Sequence, residues 1–118
     1  MSLWPALAAA DGGHSEVCSL LLDAGSDLEE RHPGTLYTSL HNAALYGHHA
    51  LVQLLLRRGA LVDSLDHTGS SALHMACQEG HLTVALSLLQ AGASLTLADR
   101  GGVWPIHLAA GENRTAVV

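Results

Sequence analysis

The sequence contains no phenylalanine and no lysine, and its aromatic residues are two tryptophans and two tyrosines, 3% of 118 residues. Hydrophobic residues nevertheless make up 48% of the chain, so leucine, alanine and valine must supply most of the core. A sheet protein usually needs more aromatic and β-branched side chains than this. The composition therefore favours thin, closely packed helices, and the length fits one domain.

Positive charge is also scarce, since five arginines stand against eleven aspartates and glutamates and give a net charge of −6. Binding to nucleic acid or to an anionic membrane requires clustered basic residues, and these arginines are few and scattered. Residues 80–98 contain no Asp, Glu, Lys or Arg, but Gly92 interrupts them. We expect two elements around a turn there, and therefore no membrane insertion and no nucleic-acid binding.

Cysteine is limited to Cys18 and Cys77, which lie in separate apolar segments. A small secreted fold would normally carry a larger disulfide framework. The apolar start also lacks the positive residues of a secretion signal. The sequence thus predicts two buried free thiols and a cytoplasmic or nuclear protein.

What the chain does have is an internal repeat. His41, His74 and His107 follow one another at intervals of 33 residues. Similar segments surround them, namely 38–44, 71–77 and 104–110, and residues 4–10 fall in the same frame. Two further markers recur in phase, a Gly-His pair (Gly13-His14, Gly47-His48, Gly80-His81) and a Leu-Leu pair followed by Gly and a small residue.

These units resemble the ankyrin repeat, whose pattern is D-x-x-G-x-T-P-L-H-x-A-A-x-x-G-H-x-x-x-V-x-x-L-L-x-x-G-A. The resemblance implies an all-α solenoid of stacked helix-turn-helix units joined by hairpin-like fingers. We expect one domain with units at 1–32, 33–65, 66–98 and 99–118, the first and last incomplete. The pattern departs from the family at Leu7, at Asn113-Arg114 and through one extra residue near His32-Pro33.

Glycines divide each unit into two short apolar segments. The first helices are predicted near 5–12, 39–46, 72–79 and 105–112, and the second near 15–24, 49–58 and 82–91. Isolated helices shorter than about 12–15 residues are marginal in water. Each must therefore bury its apolar stripe against its neighbours, which requires the units to stack.

Nine histidines raise the alternative of a histidine-based metalloenzyme, but the repeat accounts for six of them. The resemblance implies that His41 and His74 form hydrogen bonds near helix starts, with Thr38 and Ser71 as hydroxyl partners. Equivalent histidines in stacked layers should lie about 10 Å apart, too far to share a zinc ion. The sequence shows neither a nucleophile elbow nor a phosphate loop. We expect no catalysis, no metal and no cofactor.

The resemblance places partner-binding positions in the fingers and at the exposed ends of the first helices. Carried over by position, they are Thr35, Tyr37, Leu45 and Tyr46, then His67, Thr68, Ser70, Gln78 and Glu79, and finally Arg100, Val103 and Glu112. Tyrosine is often dominant at interfaces, so Tyr37 and Tyr46 are the expected anchors. The alternative is that they only cover a neighbouring layer.

An acidic cluster closes the first unit, formed by Asp23, Asp27, Glu29 and Glu30 with Arg31 as the only cation nearby. A solvated face is favoured over a site for a basic partner. Glu29 and Glu30 in particular are expected in a solvated turn with no apolar enclosure to raise a pKa.

The sequence thus predicts a non-catalytic module that binds a partner protein. The alternative is a spacer within a longer scaffold, adaptor or membrane-protein array. Ile106, Leu108, Val117 and Val118 lack a complete layer over them. We therefore also expect a fragment, a truncated isoform or one segment of a longer repeat array, with self-association through this end.

Overall fold

A computed structural model describes residues 9–10 and 12–94. Five helices follow one another in that part of the chain, and their bounds are α1 Ser15–Asp23, α2 Ser39–Leu45, α3 His49–Arg57, α4 Ala72–Glu79 and α5 Leu82–Gln90. These bounds lie within one residue of the prediction. Residues 9 and 10 are helical, whereas the rest of the helix expected at 5–12, and all of that at 105–112, lies outside the described residues.

The first helices α2 and α4 begin at matching capping boxes. In α2 the Thr38 hydroxyl accepts from the backbone N–H of His41 at 3.3 Å, and Nδ1 of His41 accepts from the Thr38 N–H at 3.1 Å. Ser71 and His74 repeat both bonds at the start of α4. Each pair satisfies two backbone donors that the helix itself leaves free. The structural role expected for these histidines is confirmed.

The second helices begin without a side-chain cap. The chain instead turns tightly at a glycine in the left-handed region, with φ of +72° at Gly47 and +73° at Gly80. After each turn the next N–H bonds back to the first helix, His48 to Ala43 and His81 to Ala76, both at 2.9 Å. This closure ties the start of the second helix of a unit to the end of the first.

The core lies between layers of helices. The first helices α2 and α4 pack together, the second helices α3 and α5 do the same, and α1 packs on α3. Leu51, Leu55, Leu73 and Leu88 are completely buried. Alanines such as Ala43 and Ala76 let the first helices approach closely.

Histidine rings tie one layer to the next. Nε2 of His41 bonds the carbonyl of Ser70 at 3.1 Å, Nε2 of His81 bonds that of Leu45 at 3.1 Å, and His49 bonds the Ser87 hydroxyl at 2.9 Å. The His81 ring also lies against Gly47, where a Cβ would come within 2.6 Å of Nδ1.

The prediction of a solvated acidic turn is wrong for part of the cluster. The Glu29 carboxylate accepts from the backbone N–H of Leu61 at 3.0 Å, because the loop of the next unit passes beside it. Burial raises the pKa of Glu30, and the negative charge of Asp27 raises it further. Nor is Arg31 the only nearby cation, since Arg58 of α3 pairs with Asp23 at 2.8 Å.

Candidate protein-binding surface

The finger before α4, residues 66–70, is organised by one buried carboxylate. Oδ1 of Asp66 accepts from the backbone N–H groups of Thr68 and Ser70, both at 2.9 Å, and from the Thr68 hydroxyl at 2.7 Å. Burial alone would raise the pKa of Asp66, but these hydrogen bonds favour the charged form and hold the pKa below its usual value. The finger is therefore a fixed turn.

The finger before α2, residues 32–37, uses a histidine in the same way. Nδ1 of His32 accepts from the N–H of Gly34 at 3.1 Å and of Thr35 at 3.4 Å. His32 N bonds Tyr37 O, whereas Asp66 N bonds Ser70 O, so this finger is one residue longer. The extra residue expected near His32-Pro33 lies here. His32 turns one ring nitrogen into its own loop.

The two fingers are hydrogen-bonded to each other and form one edge of the molecule, the finger edge, which comprises residues 31–37 and 65–70. Backbone N and ring Nδ1 of His67 both lie 2.9 Å from the carbonyl oxygen of Thr35 and donate to it. Nη1 of Arg31 donates to the carbonyls of Leu36 at 3.0 Å and Leu65 at 2.7 Å. An edge held by backbone contacts loses little conformational entropy when a partner binds.

The two tyrosines occupy different environments. Tyr37 is half-buried and stacks on the His41 ring with centroids 5.8 Å apart. Burial raises its pKa, and the negative charge of Asp66 adds to this. Tyr46 ends α2 with 54% of its surface exposed, beside the His48 ring at 6.1 Å. Tyr37 is thus partly packed against its own unit, whereas Tyr46 is largely exposed.

Comparison with known proteins agrees with this geometry. The family model for three copies of ankyrin repeats matches residues 6–99 and 40–118. The chain belongs to the ankyrin repeat family. The fold is accordingly an all-α ankyrin solenoid, and ankyrin repeats are a general protein–protein interaction module that is generally non-catalytic.

Several curated proteins are similar in sequence to part of this chain. The human ankyrin repeat and KH domain-containing protein 1 is 39% identical over 70 residues, 58% of this chain and 3% of that protein. The Drosophila melanogaster ankyrin repeat and KH domain-containing protein mask is 41% identical over 70 residues, 58% and 2% of the two chains. The human transient receptor potential cation channel subfamily A member 1 is 46% identical over 66 residues, which are 54% of this chain and 6% of that protein. The chain spans about 3% of the length of the first relatives.

The ankyrin positions expected to bind a partner fall into two neighbouring groups. Thr35, Tyr37, His67, Thr68 and Ser70 lie in the joined fingers, and Leu45, Tyr46, Gln78 and Glu79 lie at the ends of α2 and α4. Tyr46, Gln78 and Glu79 are exposed, whereas Leu45 packs against the core. Arg100, Val103 and Glu112 lie outside the described residues, as do those expected to self-associate.

Sequence reasoning missed two exposed leucines on the finger edge. Leu36 has 38% and Leu65 has 37% of its surface exposed. One signal was present in the sequence, because Leu36 occupies the position that Gly69 takes in the next unit. A leucine at a glycine position of an ankyrin finger indicates that this turn differs from the usual one.

Within residues 9–10 and 12–94, no three His, Cys, Asp or Glu side chains are grouped to hold a metal ion. In the same part of the chain, no helix is long and apolar enough to cross a membrane. Cys18 and Cys77 are buried and are not joined in a disulfide within the described part of the chain, as predicted. Burial raises the pKa of Cys77 to about 11, so it carries little of the reactive thiolate at neutral pH.

Proposed function

We propose that this ankyrin stack is a non-catalytic module that binds a partner protein through the finger edge and the exposed ends of its first helices. The site comprises Thr35, Tyr37, Leu45, Tyr46, His67, Thr68, Ser70, Gln78 and Glu79, continuing at Arg100, Val103 and Glu112. The observation that carries the proposal is Tyr46, a large aromatic side chain left 54% exposed at the C-terminal end of α2. Aromatic side chains in such positions are frequent interface anchors.

The finger edge supports the same proposal because its shape does not depend on a partner. The Arg31 and His67 side chains hold it through hydrogen bonds of 2.7–3.0 Å to backbone carbonyl oxygens, including that of Thr35. A rigid edge lowers the ordering cost of binding. The partner itself is a protein of unknown identity.

The experiment compares tagged wild-type chain with Tyr46→Ala in quantitative affinity purification. Loss of a dominant aromatic anchor should weaken binding of specific partners about tenfold or more. Leu20→Ala is the matched control, because Leu20 lies on α1 with 68% of its surface exposed. Tyr46→Ala should keep the wild-type unfolding midpoint, and Leu20→Ala should keep the partners. Equal recovery of partners by wild type and Tyr46→Ala would exclude Tyr46 from the site.

A second function is a spacer segment of a longer ankyrin scaffold. Its support is the small fraction, about 3%, that this chain covers of its first relatives. In that case the wild-type chain recovers no specific partner, and substitutions in the finger edge leave the recovered proteins unchanged.

A further inference from the structure

Leu36 adopts a backbone conformation that leucine normally avoids. Its φ is +59°, in the left-handed region. The equivalent residue of the next finger is Gly69, with φ of +77°. Both lie two residues before the capping residue, and both donate N–H to the first carbonyl of their loop, His32 O at 2.7 Å and Asp66 O at 3.1 Å. A glycine would fit the turn without strain.

The side chain of Leu36 lies outside the hydrophobic core. Leu36 is not among the residues that form or flank the hydrophobic core in the described part of the chain, and 38% of its surface is exposed. Residues with strained backbone conformations cluster at active sites, ligand-binding sites and switch regions. The side chain is therefore better explained by a contact made outside this chain.

A second leucine lies beside it. The carbonyl oxygens of Leu36 and Leu65 both accept from the same atom, Nη1 of Arg31. The backbones of the two residues therefore lie side by side, although they belong to successive units. Leu65 is also 37% exposed, so Arg31 fixes a pair of exposed leucines on the finger edge.

The charge of the described part of the chain indicates the kind of partner. Within the described residues the carboxylates are Glu16, Asp23, Asp27, Glu29, Glu30, Asp63, Asp66 and Glu79, against Arg31, Arg57 and Arg58. Arg31 is turned into the finger carbonyls, and Arg58 pairs with Asp23. Apart from the buried Asp66, the described part of the chain therefore has an excess of carboxylates, and Glu29 and Glu30 directly precede Arg31. A basic segment is the complementary partner.

We propose that Leu36 and Leu65 form an apolar contact on the finger edge, which takes an aliphatic or aromatic side chain from a basic segment of a partner protein. This deepens the proposed function and rests on it. Arg31 positions the pair, while Tyr46 contacts another part of the partner. The leucines select the apolar residue, and the acidic surface selects the basic residues around it.

The probe is a random-peptide phage library selected on the wild-type chain, followed by synthesis of the enriched peptide. We expect a consensus with an aliphatic or aromatic residue next to Lys or Arg. Fluorescence anisotropy then compares wild type with Leu36→Gly, which removes the side chain and relieves the backbone. Leu36→Asn serves as a second variant because asparagine also tolerates the left-handed conformation.

Both Leu36 variants should weaken peptide binding about tenfold, with an unfolding midpoint equal to or above that of wild type. Leu65→Ala should weaken it as well, and Leu20→Ala should not. Wild-type affinity in both Leu36 variants overturns this contact. If the enriched peptides bind both Leu36 variants with wild-type affinity but bind Tyr46→Ala more weakly, the proposed function stands without the leucine contact. An enriched consensus without basic residues also overturns the proposal, and a wild-type chain that enriches no peptide overturns it together with the proposed function.

Discussion

At the scale of single residues, the hydrogen-bond partners of His41 determine its protonation state. Nδ1 of His41 faces the N–H of Thr38 at 3.1 Å, so that nitrogen must be without a proton. Nε2 faces the Ser70 carbonyl at 3.1 Å and must carry one. Only the neutral Nε2–H form satisfies both contacts, and a proton on Nδ1 would face a donor.

This geometry predicts a dependence of stability on pH. Burial lowers the pKa of His41 and the charge of Arg31 lowers it further, against opposing effects of Ser70 and Asp66. The unfolded chain, with an ordinary pKa of about 6.5, therefore takes up the proton first as the pH falls. The stabilisation is complete above pH of about 6.5 and is lost progressively below it.

The measurement is urea unfolding between pH 8 and pH 5, with His41→Gln as the control. Glutamine can occupy the same position of a capping box but does not titrate. The loss of stability on acidification should be smaller in His41→Gln, by an amount within the worth of a helix cap, about 0.5–2 kcal/mol. Identical pH profiles for the two proteins would contradict this assignment.

At the scale of the helix pair, the turn between helices needs its glycine for two separate reasons. Gly47 has φ of +72°, and its missing side chain leaves room for the His81 ring of the next unit. The ring then reaches the Leu45 carbonyl at 3.1 Å. One glycine therefore serves both the local turn and the contact between layers.

Gly47→Ala should lower the free energy of unfolding by more than about 1–2 kcal/mol, the cost of the left-handed conformation alone. Gly59→Ala separates the two effects, because Gly59 has φ of +90° but nothing within 4 Å of an added Cβ. The excess loss in Gly47→Ala measures the displacement of His81. Urea unfolding monitored by circular dichroism measures both losses. Equal losses in the two variants would show that the ring contact contributes nothing.

At the scale of the whole molecule, stability comes from leucines that close the gaps between layers. Leu55 of α3 and Leu88 of α5 are completely buried, whereas Leu20 of α1 is 68% exposed although it belongs to a similar Leu-rich run. The helix face on which a leucine lies, rather than residue type, decides how much it contributes.

Leu55→Ala and Leu88→Ala should each cost about 2–5 kcal/mol through lost burial and the cavity left behind. That is a large part of the total of about 5–15 kcal/mol expected for a small domain. Leu20→Ala should stay within about 0.5 kcal/mol of wild type. Thermal and urea unfolding test this, and similar midpoints for all four proteins would contradict the layered core.

The sequence by itself determined the repeat, the helix bounds to within one residue and the capping role of His41 and His74. These depend on contacts between residues a few positions apart, which a local pattern of Gly, Leu and His records directly. It did not reveal that Glu29 reaches Leu61 or that Arg31 joins Leu36 to Leu65. Nor could it separate half-buried Tyr37 from exposed Tyr46. Those outcomes depend on which loops lie beside each other in successive layers, and only the packing of one unit on the next decides that.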